Sequence, residues 1–279
     1  MAWLGKVFGG TFGFMLGGPL GALLGAAIGH QFDRGMEGIE FFPRLEPGRQ
    51  QRIQMAFFTA VFSVMGHLAK ADGRVTEAEI EIARQIMDRM DLSKEMREAA
   101  IRLFREGKSP GFSLDAALDQ FYHAVGHRSP LLRLFLEILL QAAYADGSLH
   151  PAEERLLSYI CQRLGVSRFE FQALRAFMEA QLRFSRASYQ YRYSSGERQA
   201  PFSRQAPSLA DAYAVLGVSP QASDAEVTKA YRRLISQHHP DKLVAKGLPE
   251  EMVRIATEKT QQIRKAYEII QAHRQRRKA

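Results

Sequence analysis

The chain has 279 residues, 46% of them hydrophobic, a single cysteine and a formal net charge of +8. One cysteine excludes a disulfide-built exported fold and a multi-cysteine zinc module. The absence of P-loop, Gly-x-Ser-x-Gly and His-Glu-x-x-His patterns removes the corresponding enzyme classes, so the chain does not read as an enzyme and no cofactor is expected.

The first six residues precede an apolar run. Val7 to Gly29 carries no charged side chain, and at ~1.5 Å per residue it is long enough to cross a ~30 Å hydrocarbon core. A transmembrane helix is therefore expected over residues 7–30, with a short extracytoplasmic amino terminus at 1–6 and a juxtamembrane segment at 31–49. A cleaved signal peptide is the alternative, disfavoured by the length of the run. Only Lys6 lies ahead of it, whereas Arg34, Arg44, Arg49 and Arg52 follow. This bias places the bulk of the chain in the cytoplasm and the amino terminus outside. Gly9, Gly13, Gly17, Gly21, Gly25 and Gly29 recur every fourth residue. Such a stripe lets two helix backbones approach closely, so a homodimer through the span is expected, with Pro19 able to kink it.

Residues 50–183 read as one all-helical domain built on an internal repeat. Ala71-Asp-Gly-Arg-Val-Thr-Glu-Ala-Glu79 recurs as Ala145-Asp-Gly-Ser-Leu-His-Pro-Ala-Glu153, and Ile82, Ile86 and Met90 correspond to Leu156, Ile160 and Leu164. Each copy follows an apolar helix, which predicts two related helical hairpins sharing a core. Asp72, Glu79, Asp146 and Glu153 occupy equivalent places and admit a metal reading. Capping explains them more economically: Thr76 with Glu79 forms a capping box, Pro151 suits a first turn, and acidic residues there complement the helix dipole. No metal is expected.

Residues 184–208 are rich in Arg, Tyr, Ser, Gln and Pro and are read as a flexible linker. Residues 31–183 are nearly neutral, while 209–279 hold 13 basic and 8 acidic side chains. That concentration of charge suits an acidic protein partner, and no nucleic-acid binding is expected.

The last segment opens with a short helix, Leu209 to Leu216, stopped by Gly217. Ser223-Asp-Ala-Glu226 is a capping box opening a helix to Gln237, whose stripe is Val227, Ala230, Tyr231 and Leu234. Lys229, Arg232 and Arg233 lie off that stripe as a basic face. Pro240 ends the helix and sets His239-Pro240-Asp241 on an exposed bend. A final helix, roughly 249–274, packs antiparallel on the previous one.

His239-Pro240-Asp241 in this frame, between Asp211-Ala-Tyr-Ala-Val-Leu-Gly-Val218, Lys229-Ala-Tyr-Arg-Arg-Leu234 and Ile263-Arg-Lys-Ala-Tyr-Glu-Ile-Ile270, resembles a J domain, here residues 209–279. The resemblance implies a co-chaperone whose loop His239, Pro240 and Asp241, with docking charges Lys229, Arg232 and Arg233, stimulates the ATPase of a DnaK-class heat-shock chaperone. Thr228 and Gln237 stand where many relatives carry further basic residues, and Lys242 and Lys246 are candidates to compensate. The repeat at 50–183 resembles a TerB-like domain. Span, TerB-like domain and J domain in this order resemble the membrane-anchored DnaJ-like co-chaperones, which implies an inner-membrane location and a client or signalling partner for the TerB-like domain. The alternative is a membrane-bound sensor or adaptor in which that domain binds an ion or a protein.

Overall fold

The computed structural model describes residues 49–71, 73, 77–90, 92–126, 130–194, 208–249 and 252–277. The glycine stripe lies outside them, and no helix among the described residues is long and apolar enough to cross a membrane. Every regular element among the described residues is helical, as the apolar periodicity requires. The contacts divide the chain into two units, Met1–Arg168 with Leu243–Arg254, and Phe169–Lys242 with Ile255–Ala279.

The first unit contains α1 (Arg49–Leu68), α2 (Glu77–Arg89), α3 (Lys94–Gly107), α4 (Leu114–Val125), α5 (Pro130–Ala143) and α6 (Pro151–Arg163). α1 is apolar around most of its circumference and is accordingly buried from Ala56 through Gly66, packed on α3, α4 and α5. Phe121 of α4 links the central helices, its ring centroid 6.0 Å from Phe57 of α1 and 4.5 Å from Phe135 of α5. Rings at these separations add attraction beyond the area they bury.

α1 and α3 cross where neither helix has a side chain. A Cβ on Gly66 would lie 2.0 Å from the Phe104 carbonyl oxygen, and one on Gly107 would lie 1.8 Å from that of Ser63. The crossing brings α1 side chains to the open end of α3, whose last carbonyls have no intrahelical partner. His67 Nδ1 lies 3.2 Å from Gly107 O, and Lys70 Nζ donates to Lys108 O at 2.9 Å.

The repeat is visible in the backbone. Gly73 and Gly147 both adopt positive φ, 87° and 100°, a conformation that favours glycine. Beyond them Ile86 and Met90 of the first copy are buried, as are Ile160 and Leu164 of the second. Pro151 opens α6, and its N-cap is His150, whose ring accepts from Ala152 N while Glu153 accepts from His150 N. The same unit holds the segment from Leu243: Gln50 Nε2 donates to Val244 O at 2.8 Å, and a Cβ on Gly247 would lie 2.6 Å from Ile53 Cγ2.

The second unit is built from α7 (Arg168–Ser194), α8 (Leu209–Leu216), α9 (Asp224–His238) and most of α11 (Val253–Arg276); of the short α10 (Pro240–Ala245) that follows α9 in the chain, it holds the residues up to Lys242. α7 runs through Ser194, into the stretch read from sequence as linker. Glycine and proline are absent from 168 to 195, so nothing breaks the helix where the composition turns polar. Its buried stripe is Phe171, Leu174, Phe177, Met178, Gln181 and Phe184.

α8 ends at Gly217 in the left-handed conformation, with Val218 N donating back to Tyr213 O, a Schellman closure. α9 begins at the expected capping box: Glu226 N donates to Ser223 Oγ, and Ser223 N donates to Glu226 Oε2. The bond from Ser223 N, and after it the one that Ser223 Oγ donates to Glu226 Oε2 at 2.8 Å, hold the Glu226 carboxyl below its ordinary 4.5. α11 lies antiparallel to α9. Tyr231 and Tyr267 stack at 4.2 Å, and at the far end Arg274 donates to Tyr213 OH, Asp224 Oδ1 and Ala222 O at 2.9, 2.6 and 2.6 Å.

Candidate functional site

The loop His239-Pro240-Asp241 is formed where one helix stops and another starts. His239 closes α9 in an extended conformation, φ −61° and ψ 124°, as a residue before proline prefers. Pro240 then occupies the first position of α10, where its missing N–H removes nothing and its fixed φ is already helical. His239 also caps that start, because its Nδ1 accepts from Asp241 N at 3.3 Å. An accepting Nδ1 leaves Nε2 as the protonated nitrogen of the neutral ring. α10 closes after one and a half turns with Leu248 N donating to Leu243 O and Gly247 at φ 102°. The segment after the tripeptide is therefore partly a helix, bracketed by proline at its first position and glycine just past its end.

The tripeptide faces outward. The Asp241 side chain is 90% exposed and that of His239 45%. Lys229, Arg232 and Arg233 on α9 are also exposed, and none of them is engaged in an ion pair among the described residues. At 100° per residue these three share one face of α9, opposite the buried Val227, Ala230 and Leu234. Lys242 joins the face by donating to Ser236 Oγ at 2.6 Å. Thr228 is turned elsewhere: its hydroxyl donates to Asp224 O and lies 3.4 Å from Tyr267 OH. An exposed carboxylate and imidazole thus lie next to four cations that meet no carboxylate among the described residues.

The acidic residues of the repeat have other duties where they can be seen. Glu153 is buried and accepts the His150 amide, while Asp146 accepts from Ser148 N at 3.4 Å. Asp72 and the Glu79 side chain lie outside the described residues. Among the described residues no three His, Cys, Asp or Glu side chains gather as a metal site. Cys161 is buried, and burial pushes its thiol up to about 12.

Two features of the loop's surroundings escape a reading of the sequence by segments. His238, the residue before the tripeptide, is buried with its ring stacked on Phe177 of α7 at 5.9 Å, and its Nδ1 lies 2.9 Å from Leu234 O. Lys259 of α11 is buried as well, donating to Gln181 Oε1 at 3.3 Å with Met178 Sδ at 3.9 Å. The available signal was a polar residue inside an apolar stripe in each helix.

Comparison with known proteins finds three family models in succession along the chain. Residues 1–51 match the family described as co-chaperone DjlA transmembrane domain, 58–176 that of tellurite resistance protein TerB, and 211–279 the DnaJ domain. Among curated proteins, the co-chaperone protein DjlA of Coxiella burnetii is 46% identical over 97% of this chain and 97% of its own length. That of Vibrio cholerae is 47% identical over 95% and 96%, and that of Escherichia coli K12 45% identical over 87% of each. No solved structure matches the chain. With a membrane-anchor domain, a TerB domain and a J domain in this order, the chain belongs to the DjlA family of membrane-anchored J-domain co-chaperones.

Proposed function

We propose that the chain recruits a DnaK-class heat-shock chaperone to the inner membrane and stimulates its ATPase through His239, Pro240 and Asp241, with Lys229, Arg232 and Arg233 as the docking charges. The observation that carries this reading is the outward-facing loop beside an unpaired basic face. The basic residues supply orientation and encounter rate, and the loop supplies the contact that triggers hydrolysis. The chain itself performs no chemistry in this scheme. Single-turnover ATP hydrolysis by a DnaK-class chaperone, measured with the wild-type protein and with His239→Gln, tests it. Acceleration by the wild type that is lost in the variant is expected; equal acceleration by both would refute the role of the loop.

The amino terminus is assigned to the outer side of the membrane and the remainder to the cytoplasm, on the excess of arginine after residue 30. Reporter fusions at both ends test this. The glycine stripe is assigned to homodimerisation, and Gly13→Leu with Gly17→Leu should abolish crosslinking within the membrane. The TerB-like domain is assigned to client or partner selection.

A further inference from the structure

The second unit carries a contact that docking on a chaperone does not require. α7 and α11 each present an apolar stripe, Phe171, Leu174, Phe177, Met178 and Phe184 on one, Ile255, Ala256, Ile263, Ala266 and Ile270 on the other. Each stripe is interrupted by one buried polar side chain, Gln181 at 4% exposure and Lys259 at 5%, and these two meet. A buried polar pair within apolar surface adds little net stability. It penalises every other register, because sliding either helix leaves an ammonium or an amide facing hydrocarbon. One turn before Gln181, Phe177 stacks on His238.

We propose that Phe177 and Gln181 are positioning residues for the co-chaperone reaction: through His238 they hold the end of α9 from which the His239-Pro240-Asp241 loop leaves, and through Lys259 they hold α11, which packs antiparallel on α9. His238 immediately precedes the loop, and Lys259 lies in the second turn of α11, the helix stacked on α9 through Tyr267 and Tyr231. The contact leaves the docking surface open, since Asp241, Lys229, Arg232 and Arg233 stay exposed while Phe177 and Gln181 are buried. It therefore orients the loop without covering it. α7 is a mount for the J domain, holding the loop at a set angle to the basic face.

This inference rests on the loop's proposed contact with the chaperone, and the two are separable. Full-length protein in nanodiscs is titrated into single-turnover ATP hydrolysis by a DnaK-class chaperone, comparing wild type, Phe177→Ala, Gln181→Leu, Gln181→Glu and His239→Gln. Docking through the basic face sets the half-saturating concentration, whereas loop placement sets the maximal rate. Phe177→Ala and Gln181→Leu should lower maximal stimulation roughly three- to tenfold, with half-saturation held within about twofold. Gln181→Glu, which keeps an acceptor for Lys259, should restore it. A merely structural role would leave part of the protein unfolded, raising half-saturation while sparing the maximum. That pattern, or wild-type maxima in both variants, overturns the inference. Wild-type hydrogen exchange at the Val227 and Ile263 amides confirms a folded J domain. If His239→Gln stimulates normally, the loop's role fails first and the inference falls with it.

Discussion

Gly66→Ala is the most direct test of the α1–α3 crossing. The added Cβ would sit 2.0 Å from the Phe104 carbonyl oxygen and 2.8 Å from its carbon, both backbone atoms of a helix that cannot rotate away. Ordinary contact needs about 3.4 Å, so the helices must part by more than about 1 Å, and a gap of that size forfeits up to half of each attractive contact along the seam. The residues losing contact are large and buried, among them Phe62, Met65, Leu103 and Phe104. Overpacking costs about 1–3 kcal/mol and here lies at the upper end, while alanine returns about 1 kcal/mol of helix propensity. The net expectation is a loss of about 2 kcal/mol. Urea unfolding followed by far-UV circular dichroism reads the midpoint, with Gly111→Ala as the control, since no atom lies within 4 Å of a Cβ there. The control should fall within about 0.5 kcal/mol of wild type. Gly66→Ala with Gly107→Ala should cost less than the two singles added, because helices already parted accommodate the second methyl. A Gly66→Ala protein as stable as wild type, or more so, would mean that propensity dominates and that the crossing is looser than described.

Arg274 joins α11 to α8 and α9 through three donors, so Arg274→Ala should cost about 2–3 kcal/mol in J-domain stability by thermal melting, and Arg274→Lys should recover less than half because an ammonium cannot reproduce the fork. Glu226 is held below its ordinary 4.5, so it contributes stability present above that value and lost as pH falls through its folded value. Urea midpoints should drop below about pH 4.5 less steeply in Glu226→Gln than in wild type, and identical pH slopes would count against the capping box as a source of acid sensitivity. With its thiol raised to about 12 by burial, Cys161 should resist iodoacetamide at about pH 8 and react at the rate of local opening, which quenched mass spectrometry measures. Arg232→Glu with Arg233→Glu should raise the half-saturating concentration for ATPase stimulation about tenfold or more at low salt and flatten its salt dependence, leaving the maximal rate near wild type.

What was legible in the sequence was local. Gly217 stops α8 and the Ser223–Glu226 box starts α9 by bonds that span only a few residues, so their boundaries follow from residue types alone. The repeat was legible because it carries the same glycine with positive φ twice. α10 was not, since six residues are too few to show a period, although Pro240 and Gly247 bracket it. Nor was the full length of α7, since an Arg, Tyr and Ser composition resembles a tether even where no residue stops a helix. The close passage of Gly66 and Gly107 joins residues 41 apart, and Gln181 meets Lys259 across 78. Only the fold reveals such pairs; in sequence they look like small defects in good helical patterns.

The docking face proposed above also bears on why the chain is anchored at all. Three exposed cations and a fourth held by Ser236 are solvated, and each is worth about 0.3–1 kcal/mol against an acidic partner, less as salt rises. Together they supply only about 1–4 kcal/mol, too little for a lasting complex unless the loop adds to it. A weak and salt-sensitive contact suits a partner that must be released after each round of hydrolysis, but it cannot discriminate among sites in a cell. Selectivity must therefore come from where the face is held. Confinement to a membrane raises the local concentration of J domains at its surface without any new contact. A rigid mount for the loop then matters more than affinity, because each brief encounter has to present the tripeptide at the right angle.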